Sequence, residues 1–379
     1  MFKKMLLTLS VLTLLTAGAA FAGDANWNFY GVAHASLNSL SNGEDSQLGL
    51  TSNTSRFGFK GTTPMNEEFT AFWQFESLLD IEGNDGNGTE IGTRNTYLGM
   101  KHATAGKIVF GRHDTPFKTL GRKVEMFPDQ LGDFRSMTDG WDNRLTELVA
   151  YVSPDWDGFS IFAAYQFDQV DALEVTKADW EAETAMSAMA AYSTEQFMIG
   201  AAYEAASSGY GETNGDEVGD GPKAIRLAGK YMAEQFDIGA MFQSATYQES
   251  AYPDAGFEDW KSQTMGVGAA FHVNPKWTVK GQMYMYNTYT DAEDDEDTDD
   301  VDEGDATATQ LAFGIDRIFT ENVLAYVQFA TMSNGDVTNE ALGGGQSGFG
   351  KEVFGTYDDE RRDPESFRHL GRYGDHLVS

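Results

Sequence analysis

The sequence predicts an all-β protein, a 16-stranded antiparallel transmembrane β-barrel, and three observations carry that prediction. Runs of about ten residues alternate apolar and polar side chains, as in Ala71-Phe72-Trp73-Gln74-Phe75, and recur with turns between them almost to the end of the chain. Basic Met1-Phe2-Lys3-Lys4, an apolar stretch from Met5 to Ala20 and the triplet Ala20-Phe21-Ala22 read as a Sec-type export signal, which places a cleaved leader at 1–22 and the mature chain at 23–379. No later run approaches the roughly 18 apolar residues of a membrane helix, so if a membrane is involved only strands in a closed ring remain.

Successive strand side chains point to opposite sides, so each run sorts into two faces. From 27 to 37 the apolar face holds Phe29, Gly31, Ala33, Ala35 and Leu37, and the wet face Asn28, Tyr30, His34 and Ser36. From 54 to 60, Phe57 and Phe59 oppose Thr54, Arg56, Gly58 and Lys60. From 69 to 76, Phe69, Ala71, Trp73 and Phe75 oppose Thr70, Phe72, Gln74 and Glu76. The same reading gives strands at 94–101, 107–113, 146–153, 159–167, 184–192, 197–204, 224–231, 236–245, 264–272, 277–286, 307–318 and 323–331. One more after Phe367 completes the even number that an antiparallel ring requires. Tight polar turns, such as Ser193-Thr194-Glu195-Gln196 and Asn274-Pro275, alternate with long acidic loops, among them 288–306, as in a membrane meander. Trp27, Tyr192, Tyr231 and Trp277 stand near strand ends, where interfacial girdles form.

Composition narrows the function. A content of 41 Gly, 26 Phe, 16 Tyr and 7 Trp against 8 Pro suits strands that hide apolar residues at every second position. The absence of cysteine excludes a lipoprotein and a disulfide scaffold. A formal charge of -33 repels phosphate backbones, which excludes nucleic acid as a partner. The 6 histidines show no metal-ligand spacing, and nucleophile motifs, phosphate loops and dinucleotide fingerprints are missing, so the chain reads as neither an enzyme nor a cofactor carrier. The acidic run 291–305 offers Asp295, Asp297 and Asp299 as candidate ligands for a divalent cation, but it lacks the glycine of a calcium loop and reads first as a solvated loop.

Four segments carry a family resemblance: Ser55-Arg56-Phe57-Gly58-Phe59-Lys60-Gly61, Arg94-Asn95-Thr96-Tyr97-Leu98-Gly99, Phe110-Gly111-Arg112-His113-Asp114-Thr115-Pro116 and Val149-Ala150-Tyr151-Val152-Ser153-Pro154. In this order, after an export signal, they resemble the Gram-negative trimeric general diffusion porins. The resemblance implies a homotrimer in the outer membrane, among lipid and lipopolysaccharide, that passes small hydrophilic solutes and ions. It also implies that the third external loop, here about 113–143, folds into the lumen. Its carboxylates Asp114, Glu125, Asp129, Asp133 and Asp139, with Asp142, would then face a basic wall of Arg56, Arg94, Arg112 and Arg144. An arginine on the lipid face costs about 2–4 kcal/mol at mid-depth, which independently turns these side chains inward. Acidic mouths enrich cations while the arginine wall opposes them, so a modest cation preference is expected.

Two other readings stay open at this point. A solute-specific channel on the same barrel needs a row of ligands along the lumen, and the sequence displays none. An exported all-β surface protein without a channel would bury its apolar face instead. One departure from the resemblance concerns the end of the chain: porins commonly finish on an aromatic residue, whereas this sequence finishes His376-Leu377-Val378-Ser379, with Arg368, Arg372 and Asp375 interrupting the apolar face.

Overall fold

The computed structural model describes residues 26–41, 46–79, 81, 94–167, 184–206, 221–247, 260–290 and 307–334. Its strands are β1 (Asn26–Val32), β2 (Ala35–Ser41), β3 (Ser46–Ser52), β4 (Arg56–Pro64), β5 (Phe69–Leu78), β6 (Thr96–His102), β7 (Gly106–Asp114), β8 (Arg144–Val152), β9 (Phe159–Gln166), β10 (Ala185–Ser193), β11 (Phe197–Ala206), β12 (Lys223–Met232), β13 (Phe236–Tyr247), β14 (Trp260–Asn274), β15 (Trp277–Thr290), β16 (Thr307–Thr320) and β17 (Val323–Asn334). Between β7 and β8 lie helix α1 (Pro116–Arg122) and a 3-10 turn, Phe134–Met137. The leader 1–22, the acidic run 291–305 with Asp295, Asp297 and Asp299, and the strand expected after Phe367 fall outside the described residues.

Fifteen strands form one antiparallel sheet in the order β1-β4-β5-β6-β7-β8-β9-β10-β11-β12-β13-β14-β15-β16-β17, and β2 pairs with β3 in a sheet of its own. After β1, chain order is sheet order from β4 onward, which is the meander the alternation of turns implies. The first hairpin departs from expectation. The run expected to be continuous from 27 to 37 breaks at Ala33-His34, and β3, which the sequence reading left out, breaks from β4 at Asn53-Thr54-Ser55. The two breaks lie side by side: Val32 pairs with Arg56 below them and Ala35 with Ser52 above. They are stitched by Asn53 N donating to His34 O at 2.7 Å and His34 N donating to Ser55 Oγ at 2.9 Å.

Side chains show which way the sheet curls. On β12, Ile225, Leu227 and Tyr231 are exposed while Ala224, Arg226 and Ala228 are buried; on β13, Phe236 and Ile238 are exposed while Met241, Gln243 and Ala245 are buried. The exposed rows are apolar on every strand from β9 to β17, up to Val327 at 78%. Such a belt is a liability in water and a fitting surface in lipid. Edge strands β1 and β17 are not paired with each other among the described residues, yet the ends of the sheet approach. The His34 ring meets Tyr326 of β17 edge-on at 5.5 Å, and Asn53 Nδ2 donates to Tyr326 Oη at 3.1 Å.

The hollow is not uniformly wet. The inward faces of β10 to β13 carry Met189, Ala191, Met198, Ala202, Ala224, Ala228 and Met241, and the segment after β7 packs onto them with Phe117, Leu120, Val124, Phe134, Met137 and Trp141. One side of the interior is therefore a dry core, whereas β4 to β8 keep charged side chains inward. Small wall residues make room for the bulky ones of the loop, as close packing requires.

The outward orientation is testable at mid-strand. Leu227→Arg places a charge on the exposed apolar face and is expected to cost about 2–4 kcal/mol, whereas Leu227→Ala changes little. Thermal unfolding of the two variants in lipid vesicles checks the difference.

Candidate functional site

The segment between β7 and β8 enters the hollow at Thr115, whose side chain accepts from Lys118 N and starts α1, with Pro116 at the first helical position. A chain inside a sheet has no water on its wall side, so its backbone groups need partners from the wall. Strands β10 and β13 to β16 supply them. Ser187 Oγ of β10 accepts from Phe117 N at 3.1 Å, Gln243 Nε2 of β13 donates to Thr138 O at 3.2 Å, and Thr264 Oγ1 of β14 donates to Met137 O. Gln282 of β15 donates to Gly132 O, and Gln310 of β16 donates to Asp133 O at 3.3 Å.

Arg226 on β12 is the centre of this attachment and is fully buried. Its Nη1 and Nη2 donate to the two Asp142 oxygens at 2.7 and 2.9 Å, Nη1 also reaches Phe117 O at 3.1 Å, and Nε donates to Gln243 Oε1 at 3.2 Å. The guanidinium lies 4.1 Å from the Phe117 ring centre and 5.7 Å from that of Phe134. Gly121 permits the insertion, because a Cβ there would run into Arg226 Nη1 and the Phe134 ring. Sequence reading missed Arg226: its signal was a charge on the inward face of a strand, shared with many residues that have no such role.

Between the other side of the loop and the β4–β8 wall lies a cavity of about 240 Å³, lined by Thr54, Arg56, Glu76, Arg94, Asn95, Asp114, Lys118, Arg122, Asp129, Arg135 and Arg144. Glu76 Oε1 accepts from Arg94 Nε at 2.8 Å and Oε2 from Tyr30 Oη at 2.9 Å, with Arg56 Nε at 3.7 Å. Asp114 is held by Lys118 Nζ and Arg144 Nη2, both at 3.0 Å, and by Asn95 Nδ2 at 2.8 Å. From the loop, Asp129 reaches across to Arg56 Nη1 at 3.8 Å while also pairing with Arg122 at 2.8 Å and Arg135 at 2.9 Å.

The expected set divides accordingly. Arg56, Arg94, Arg144, Asp114 and Asp129 come together around this cavity. Arg112 does not line it: the register shifts between Gly111 and His113, with Gly111 at φ +126, and His113 turns its ring onto Tyr97 and Phe162 in place of the arginine. Glu125, Asp133 and Asp139 are absent from the lining as well, because they serve the fold of the loop. Glu125 accepts from Phe127 N and Phe134 N at 2.8 and 3.0 Å, Asp133 pairs with Arg122 and Arg135 at 2.8 and 2.7 Å, and Asp139 accepts from Ser262. The expected segregation of an acidic loop from a basic wall fails too, since Lys118, Arg122 and Arg135 put three cations on the loop side. Glu76, Lys118, Arg122 and Arg135 were legible only as charges; their convergence is a tertiary fact.

Several loop groups titrate away from their ordinary range. Burial, and after it the Asp133 charge, pushes Glu125 up to about 8. Burial also pulls Lys118 down to about 8, opposed by Asp114 and assisted by Arg144 and Arg135. For Asp133, burial works against ionisation, but Arg135 and Arg122 override it and hold the carboxyl well below the usual range.

Removing the attachment should loosen the loop. Arg226→Ala leaves Asp142 buried without its partner, and about 3–5 kcal/mol of stability is expected to go. Urea unfolding in vesicles measures the loss, and faster proteolysis within 115–143 reports the loosened segment.

Comparison with known proteins agrees with this arrangement. A sequence profile described as Gram-negative porin matches residues 8–337. The chain is 28% identical to the outer membrane porin protein OmpD of Citrobacter koseri over 53% of its own length and 58% of the relative's. It is 28% identical to outer membrane porin F of Escherichia coli over 66% and 71%. The alignments thus span from 58% to 71% of these two relatives. Among solved structures, the anion-selective porin from Comamonas acidovorans superimposes with a TM-score of 0.65 at 18% identity, covering 83% of this chain and 90% of that one. Salmonella typhi OmpF gives 0.58 at 19%, covering 80% and 89%. The curled antiparallel sheet, the loop folded into its hollow and the profile match together make this chain a member of the Gram-negative porin family, a family of the outer membrane.

Proposed function

We propose that this chain forms a water-filled channel through which small hydrophilic solutes and ions diffuse passively, as a homotrimer set among outer-membrane lipid and lipopolysaccharide after removal of the leader 1–22. The cavity between the loop and the β4–β8 wall is its narrow passage, and the observation that carries this reading is the convergence there of paired but unequal charges. No energy source enters: ions follow their gradients, and the opening sets the size limit.

The charge balance sets the preference. Arg56, Arg94, Lys118, Arg122, Arg135 and Arg144 face Glu76, Asp114 and Asp129, with Asp133 paired just behind. Six cations against four carboxylates leave two positive charges in excess, in a chain whose formal total is -33. Glu125, neutral below about pH 8, does not cancel them. An uncompensated unit charge about 4 Å from a passing ion is worth about 1 kcal/mol even at the dielectric constant of water, roughly a fivefold bias. The narrowest passage dominates selectivity, so the reading is a modest preference for anions in place of the modest cation preference expected from the acidic mouths.

Reversal potentials across a potassium chloride gradient test this. Chloride is expected to be favoured several-fold at pH 7, and Arg56→Gln with Arg94→Gln removes both excess charges and brings the ratio near unity. The preference is also expected to fall as pH rises through about 8, because Lys118 loses its positive charge and Glu125 gains a negative one. A cation-preferring wild type overturns the charge assignment.

A further inference from the structure

On the short-turn side of the cavity, the wall carries a second set of cations. Lys60 pairs across the ladder with Gln74, on the same inward face as Arg56, and its ammonium stands 5.1 Å from the Tyr30 ring centre. Lys101 of β6 pairs with Thr70 on one side and Lys107 of β7 on the other. Lys107 lies opposite Val152, which packs into the interior, and its ammonium is 5.9 Å from the Phe72 ring centre.

Strand geometry fixes the spacing. Four residues from Arg56 to Lys60 on β4, and six from Glu76 to Thr70, the partner of Lys101, on β5, put the lysines about 13 and 20 Å from the cavity along the strands, at about 3.3 Å per residue. Lys101 and Lys107 face each other directly, with Cβ atoms about 5 Å apart as in any cross-strand pair, and like charges so placed are unfavourable unless something answers them. Among the described residues nothing does. None of the three lysines has an ion-pair partner, and below Glu76 and Asp114 no carboxylate belongs to the inward faces of β1 or β4 to β7. The acidic residues at that end, Glu67, Glu68, Asp155 and Asp157, sit in the turns at the rim. The opposite wall is self-neutralised, with Lys230 on Asp237 at 3.3 Å and Lys280 on Asp316 at 2.9 Å.

We propose that the facing pair Lys101 and Lys107, reached from the narrow passage by way of Lys60, is a binding station for small polyvalent oxyanions inside the channel. Two ammonium groups one ladder rung apart match two charges on one small solute, and Thr70 beside Lys101 offers a hydroxyl to an oxyanion oxygen. A monovalent anion answers only one of the pair and is held less. The station rests on the diffusion-channel reading and adds to it a class of solute that lingers.

The test is single-channel chloride current with sodium pyrophosphate, and separately citrate, added at the short-turn mouth. Both are expected to reduce the current in a saturable way at millimolar concentration, with sodium acetate at equal ionic strength giving no block. Lys101→Gln with Lys107→Gln should weaken the block at least tenfold while keeping the wild-type reversal potential, and Arg56→Gln with Arg94→Gln should keep the block while losing the reversal potential. Block unchanged in the lysine variant, or absent in an otherwise conducting wild type, overturns the station and leaves the channel reading standing. Failure of wild type to conduct sinks the channel reading itself. Block by pyrophosphate without block by citrate overturns recognition by charge.

Discussion

A polypeptide folded into the middle of a sheet must find a hydrogen-bond partner for every backbone group that water cannot reach, and the rest of this structure depends on that constraint. The 115–143 segment meets it by leaning on one half of the wall, where a single polar side chain from each of several strands takes a peptide group of the loop. The rest of that half is packed with alanine, methionine and buried tyrosine, and Gly200, Gly239 and Gly268 let Leu120, Val124 and Met126 of the loop come close. Arg226 supplies the strongest of them, because its charge is met by Asp142 and its plane by two aromatic rings.

Leaning one way leaves the other way open. Where β4 to β8 face the loop, the cavity is lined among the described residues by polar and charged side chains, and charged groups on both sides pair at 2.8–3.8 Å. The passage owes its position to the covered half and its chemistry to the uncovered one. Total charge is a poor guide to that chemistry: a strongly acidic chain places a surplus of guanidinium and ammonium groups around the cavity beside the loop.

Much of the framework was legible as a pattern of period two. The strand expected at 197–204 is Phe197–Ala206, that at 107–113 is Gly106–Asp114, and that at 323–331 is Val323–Asn334. Alternation survives because lipid on one side and polar or loop-covered space on the other act on every residue of a strand. It fails where a local irregularity resets the count. The bulge at Gly111 moved Arg112 off the expected wall, and the paired breaks at His34 and Asn53 split a hairpin whose residues alternate through the break. The site was legible in part for a different reason. Arg56 follows the parity of β4, while Arg94 just precedes β6 and Arg144 opens β8, so they stand at strand starts; Glu125, Asp133 and Asp139 lie in irregular backbone, where no period says which carboxylates turn back to cap peptide groups of their own loop.

The rivets of the loop also dictate an order of events. Phe117 waits for Ser187, Thr138 for Gln243, Met137 for Thr264 and Ser136 for Gln310, partners separated along the chain by 70, 105, 127 and 174 residues. The loop is made early and its seat late. Seating the loop therefore rests on contacts of high sequence separation, each with a larger closure cost than the hairpins of the wall.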